Sequence, residues 1–282
     1  MTLNEIMMSF EIGGIYGIAA LGIYLTLRVI DFPDLTCDGS FVLGAASSGI
    51  LIKNGMNPWT SLSIAMVAGG LAGAATGIIH TKFRVTNLLS GILVGFMLYS
   101  INLRVMGGIP NISLMNRDTI FSSFPIVQIL GIGLMSCAAI TYLLMTDFGL
   151  GLSSIGQNKR LAKNSGVSIS FMTITCLALS NSIIALSGAL FSQHQGFSDV
   201  GSGIGTVMTG LASVMIGEKM LPYRSAIFRT ISCLTGSILY RIFVSFALHG
   251  DYLGLNTSDL NLVTGLMILT VMYTPRKNYA KT

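Results

Sequence analysis

Charge is scarce in this chain. Of its 282 residues only 10% are Asp, Glu, Lys or Arg, against about 25% in an ordinary soluble domain, and that scarcity excludes a water-soluble globular enzyme. Histidine is scarcer still. His80, His194 and His249 fall at segment ends, with no H-E-x-x-H run and no second ligand three or four residues away, so surface or interfacial rings are expected rather than metal ligands. The four cysteines, Cys37, Cys137, Cys176 and Cys233, form no C-x-x-C pair and lie in or beside apolar runs, which makes them small packing residues. No G-x-x-x-x-G-K-[ST] loop is present to cradle ATP. Ser90-Gly91 and Ser187-Gly188 lack the leading glycine of a G-x-S-G turn, which counts against an intramembrane serine protease. No catalytic group, metal or cofactor is implied. The first residues carry no basic region or cleavage signal, so they are expected to begin the first span.

What the chain has in abundance is apolar sequence: 52% of residues are hydrophobic and the mean hydropathy is +0.74. Runs able to fill a hydrocarbon core of about 30 Å number about nine, at 3–27, 37–52, 59–79, 85–105, 124–145, 169–191, 204–216, 225–248 and 260–273. The expected fold is an all-α integral membrane protein, a polytopic helix bundle forming one domain over 1–282. Several runs are short or glycine-rich, which predicts broken helices shielded by neighbours. Gly69, Gly73 and Gly77 share one helix face, as do Gly13 with Gly17 and Gly91 with Gly95, a spacing that lets helix backbones approach closely.

The net charge of +5 reads as topology rather than as nucleic-acid binding. With 146–167 placed inside, alternation puts Arg28, Lys82, Arg84, Lys159, Arg160, Lys163, Lys219, Arg224, Arg229, Arg276, Lys277 and Lys281 on the cytoplasmic side. Lys53, Arg104 and Arg117 fall outside, and Arg241 stays in the membrane. That imbalance predicts an external N-terminus and a cytoplasmic C-terminus. Glu11 and Arg241 are ionisable residues within apolar runs, near enough to the outer interface to snorkel. An ordered series of Asp, Glu and His across the spans is missing, which disfavours a proton-driven carrier, although sodium coupling through backbone carbonyls would leave no such trace.

Three stretches interrupt the apolar pattern. The first, 146–167, is a polar, cationic island in which Gly156 is expected to break the chain, Asn158 to cap a short helix from Lys159, and Gly166 to close it. Lys163 and Ser165 belong to its last turn, where a cation complements the helix dipole. The second, RVIDFPDLTCDGS (28–40), is either a broken helix beside a solute path or a cytoplasmic turn, with Pro33 stopping a helix and Asp34 or Asp38 with Ser40 capping the next. The third, 193–220, contains an apolar run of roughly 20 Å that is expected to cross as a short helix.

The island carries a resemblance. Thr146, Gly149, Leu152, Gly156, Asn158, Ala162, Ser165 and Gly166 match the pattern T-x-x-G-x-x-L-R-A-x-G-x-N-x-x-A-A-x-x-S-G. This resembles the cytoplasmic coupling loop of ABC importer permeases of the branched-chain amino acid and ribose superfamily. FPDLTCDGSFVLGAA (32–46) and GIGTVMTGLASVMIGE (203–218) look like its tryptophan/tyrosine-type branch. Ser153 stands where that family often has arginine, and Leu161 replaces the first paired alanine.

The resemblance implies a type II importer permease of a bacterial cytoplasmic (inner) membrane, itself non-catalytic. Its expected partners are an ABC ATPase subunit, a periplasmic or lipoprotein solute-binding protein, a second permease copy forming a homodimer, and membrane lipid. ATPase coupling falls to Gly149, Gly156, Asn158, Lys159, Arg160, Ala162, Ser165 and Gly166. Phe32, Asp34, Thr36, Asp38 and Ser40 are candidates for the pathway or its gate. The expected solute is an amino acid, by resemblance an aromatic one. The alternatives are a sugar or nucleoside permease, an ion- or proton-coupled carrier acting alone, and a non-transporting scaffold.

Overall fold

A backbone in hydrocarbon has no water to bond, so an apolar chain must pair its peptide groups internally, which a helix does within one segment. The computed structural model describes residues 3–121, 125–221, 225–248 and 260–273, and it is built in this way. Helix α1 (Leu3–Tyr24) runs into a π-helical turn (Leu25–Val29) and is followed by α2 (Thr36–Lys53), α3 (Pro58–Lys82) and α4 (Asn87–Val105). After strand β1 (Asn111–Ser113) come α5 (Pro125–Met145), α6 (Asp147–Gln157), α7 (Lys159–Asn164) and α8 (Ile169–Gln195). Strand β2 (Phe197–Asp199) and a 3-10 turn (Val200–Gly203) lead to α9 (Thr206–Met220), α10 (Ala226–Leu248) and α11 (Leu260–Tyr273). The strands form an antiparallel ribbon with Ile112 opposite Ser198.

Among the described residues seven segments are long and apolar enough to cross a membrane, not the expected nine. The two that fall short are α2 and α11. Helix α2 opens on Thr36, Cys37, Asp38, Gly39 and Ser40, and these polar residues lower its hydropathy because its first turn lies inside the bundle rather than in lipid. The described α11 has 14 residues, roughly 21 Å of helix. The third interruption does cross in length, as the 21-residue segment Val200–Met220, but only when the 3-10 turn is added to α9.

The polar island is also more ordered than expected. Gly156 does not break it; it lies inside α6, where a Cβ would strike the Val29 carbonyl at the end of the π turn. Helix α7 then forms as expected, with Asn158 Oδ1 accepting from the amides of Arg160 (3.0 Å) and Leu161 (3.1 Å) and Gly166 at φ 85° beyond it. Arg224, His249, Arg276, Lys277 and Lys281 lie outside the described residues.

The core is centred on α1 and α8, where Ile15, Ile18, Leu21, Leu177 and Leu190 are buried. Glycine permits the close approach of neighbouring helices. Gly69, Gly73 and Gly77 of α3 lie against Asn181, Leu177 and Ile174 of α8, and Gly13 and Gly17 of α1 lie against Ile238 and Leu234 of α10. Helices α2 and α8 touch reciprocally, a Cβ at Gly44 meeting the Ala185 carbonyl and one at Gly188 meeting the Phe41 carbonyl. Gly188→Leu is therefore expected to lower the Tm of the detergent-purified protein by overpacking, about 1–3 kcal/mol or more. At Gly131 an added methyl meets nothing, so Gly131→Ala should leave the melting curve nearly unchanged; equal losses for both would contradict this packing.

Candidate functional site

Pro33 and the left-handed backbone of Asp31 (φ 52°) stop α1 from continuing, and the chain turns back into the bundle as an irregular, non-helical segment over 30–35. Asp34 is buried at its far end. Its Oδ1 accepts from the Thr36 amide (2.8 Å), capping α2, and its Oδ2 accepts from Asn181 Nδ2 (2.8 Å). Asn181 lies twelve residues into α8, roughly 18 Å along its axis. The junction is therefore interior. Thr36 Oγ1 pairs with Thr76 Oγ1 at 2.8 Å, and Gly91 of α4 gives the room, since a Cβ there would strike the Leu35 amide. Helical structure is broken over 30–35 as the first reading of 28–40 expects, and of the expected caps only Asp34 bonds the first amide of α2.

Asp38 does not cap its own helix. Its Oδ1 accepts from the Val207 amide (2.9 Å) and its Oδ2 from the Gly205 amide (3.4 Å), so it caps α9. A carboxylate there also complements the positive end of the α9 dipole. Ser40, expected as a cap, is fully buried with its Oγ unpartnered. Phe32 lies elsewhere, its ring edge-on to His80 at 5.1 Å, near the α6–α7 end.

Beside the two interior helix starts is a lateral groove of about 520 Å³. Asp38 and Gly39 of α2, Phe96, Tyr99 and Asn102 of α4, and Gly203 and Ile204 before α9 contribute to its wall. Phe96 is 74% and Ile204 81% exposed, so the groove is open on one side. Asn102 Nδ2 donates to the Gly39 carbonyl (3.2 Å) while its buried Oδ1 has no partner. Asn102 and Asn181 went unnoticed in sequence, where an Asn inside an otherwise apolar run was the available signal.

The coupling candidates divide into two sets. Gly149, Gly156 and Ala162 face inward: Gly149 lies beneath Leu143 and Leu144 of α5, Gly156 against Val29, and Ala162 is 1% exposed. Asn158, Lys159, Arg160, Ser165 and Gly166 are exposed. At the opposite end His194 is less accessible than its segment-end position implied: its Nε2 meets Glu11 Oε2 at 2.8 Å and its ring lies edge-on to Phe121. Arg241 stacks over Tyr16, 5.9 Å from the ring centre. Glu11 and Arg241 thus each have a partner within the bundle. The four cysteines are free and buried.

This arrangement has relatives. Residues 6–272 match the family described as "Branched-chain amino acid transport system / permease component". The chain belongs to that permease family. A tyrosine transport system permease protein from Clostridioides difficile is 40% identical over 266 residues, covering 94% of this chain and 89% of that protein. The ribose import permease protein of Escherichia coli is 21% identical, covering 98% and 87%. Among solved structures, PsaBC from Streptococcus pneumoniae in complex with Fab has a TM-score of 0.57 at 14% identity, covering 96% of this chain and 92% of that one. An inward-facing putative metal-chelate type ABC transporter has a TM-score of 0.53 at 13% identity, covering 95% and 84%. The permease is thus a multi-pass, non-catalytic subunit of an ABC transporter.

Because Asn181 and Thr36 satisfy the buried Asp34 carboxylate, Asn181→Leu should strand one of its oxygens. The permease is expected to lose about 1–3 kcal/mol of stability, read as a lower Tm in detergent. An unchanged Tm would show that the Asp34–Asn181 bond holds nothing.

Proposed function

We propose that this permease imports an amino acid, an aromatic one, as half of a homodimeric path worked by a separate ATPase and supplied by an external solute-binding protein. The observation that carries the solute is the 40% identity to a tyrosine transport permease over 94% of the chain. The groove chemistry supports it. Phe96 and Tyr99 offer an aromatic flank, and Asp38 with the unpartnered Asn102 Oδ1 offers acceptors to an ammonium. A second copy set against the exposed Phe96 and Ile204 would close the groove into a path.

In this reading the α6–α7 end faces the cytoplasm of a bacterial inner membrane, with the N-terminus outside and the C-terminus inside. Asn158, Lys159 and Arg160 form the ATPase contact with Ser165 and Gly166 beside them, while Gly149, Gly156 and Ala162 hold the loop rigidly against the spans. A push on α6 is delivered through Gly156 to Val29, at the foot of the non-helical segment 30–35. Phe32, Asp34 and Thr36 then carry the displacement to Asp38 and Ser40, where the groove wall turns from closed to open. Sub-ångström shifts suffice where packed elements have two discrete arrangements.

Reconstitution with the cognate ATPase and binding protein tests the class: tyrosine uptake should require ATP, and uptake without nucleotide would replace this reading with a self-sufficient carrier. Preference for ribose over tyrosine would move the solute to the sugar branch. Arg160→Glu should weaken ATPase co-purification while keeping the wild-type Tm, since its side chain is exposed. Asp38→Asn should lower uptake about tenfold, the order of one charge-assisted hydrogen bond, with the ATPase still bound.

A further inference from the structure

A second cavity, about 400 Å³, lies at the α6–α7 end, between the turn that joins α3 to α4, helix α7 and the start of α8. No Asp or Glu is among its lining residues, whereas Arg84 and Lys159 are. Neither cation has a described hydrogen-bond or ion-pair partner. Arg84 holds a left-handed backbone (φ 55°), a conformation costly for a residue with a Cβ.

Two helices begin at this cavity. Helix α4 starts after Thr86 and α8 after Ser168, and neither residue makes a side-chain cap bond. The first amides of both helices therefore have no capping side chain among the described residues, and Thr86, Ile169 and Ser170 line the cavity. A further observation points to an occupant. Thr173, one turn into α8, is only 5% exposed, lines the cavity, and its hydroxyl has no hydrogen-bond partner among the described residues. Cations, uncapped helix starts and a hydroxyl without a described partner on a largely buried, cavity-lining threonine, with no acid among them, are complementary to an anion rich in acceptor oxygens.

We propose that this cavity binds a phosphate group, carried by an anionic lipid headgroup or free as inorganic phosphate. Arg84 reaches it from the α3–α4 turn and Lys159 from α7, so the occupant joins the two. Phe32 and Ile155 on the same wall tolerate the carbon skeleton of a phosphate ester. The site is distinct from the lateral groove, and an occupied site stiffens the seat of the α6–α7 loop. Neither the solute nor the direction of transport enters the argument. A failed ATPase co-purification would leave the site untouched, and an empty site would leave the transport reading untouched.

The test is a thermal melt of the full chain, delipidated in neutral detergent, titrated with inorganic phosphate, short-chain phosphatidylglycerol or a short-chain diacylglycerol lacking phosphate. Tm should rise with a phosphate-bearing probe and stay flat with diacylglycerol. A rise with phosphatidylglycerol alone assigns the lipid headgroup, and a rise with inorganic phosphate, with or without the lipid, shows that the free ion binds. Arg84→Gln should weaken the apparent affinity about tenfold or more, with partial recovery in Arg84→Lys. Thr173→Val, which removes the hydroxyl at nearly constant volume, should also weaken it and carries the comparison should Arg84→Gln fail to fold. The proposal is overturned by a flat response to both phosphate-bearing probes, by an equal rise with diacylglycerol, or by variants that respond as the wild type does.

Discussion

Two carboxylates held at helix starts inside an apolar bundle set the terms for everything else in this permease. A charged side chain buried among apolar helices is tolerated only when its lone pairs are taken up. Asp34 is taken up by the Thr36 amide and Asn181, and Asp38 by the first amides of α9. Because of the first, the chain leaves α1, re-enters as a non-helical segment and starts α2 inside. Because of the second, α9 starts inside too, so that the 3-10 turn must complete its crossing. The groove is what remains beside two helices that both begin in the interior.

The same junction is tied to the α6–α7 end by contacts without slack. Gly156 brings the α6 backbone onto the Val29 carbonyl, which a side chain there would prevent. The π turn places Val29 at that spot, and the Phe32 amide returns to the Thr26 carbonyl at 2.8 Å, fixing how the non-helical segment departs. Arg28, at the end of the same turn, is paired with Glu218 in the last turn of α9. The π turn thus touches α6 through Val29 and α9 through Arg28, the one continuing into the segment that starts α2 and the other being the second helix that starts inside. A loop with internal helices and a backbone-to-backbone seat transmits displacement in a way that a flexible loop does not.

Helix positions were legible because an apolar run in a membrane has little choice but to become a helix, and all nine runs did. The cap at Asn158 and the glycine after α7 were legible because they are local. What escaped was non-local. The partner of Asp38 is 169 residues away and that of Asp34 is 147 away, so spacing within 28–40 could not separate an interior junction from a surface turn. Gly156 reads as a breaker in sequence because its reason, the approach of Val29, lies on another element. Helix α6 was overlooked because glycine and serine dominate DFGLGLSSIGQ, although Thr146 caps it and its Leu152 and Ile155 are buried.

The central claim is that the α6–α7 loop faces the cytoplasm, where a motor subunit can drive the interior junction through it. All four native cysteines are buried, so a single exposed thiol reports without removing them. Ser165→Cys, treated with a membrane-impermeant maleimide, should be labelled in inverted vesicles and remain unlabelled in intact cells. Labelling of Ser165→Cys from outside intact cells would contradict the account.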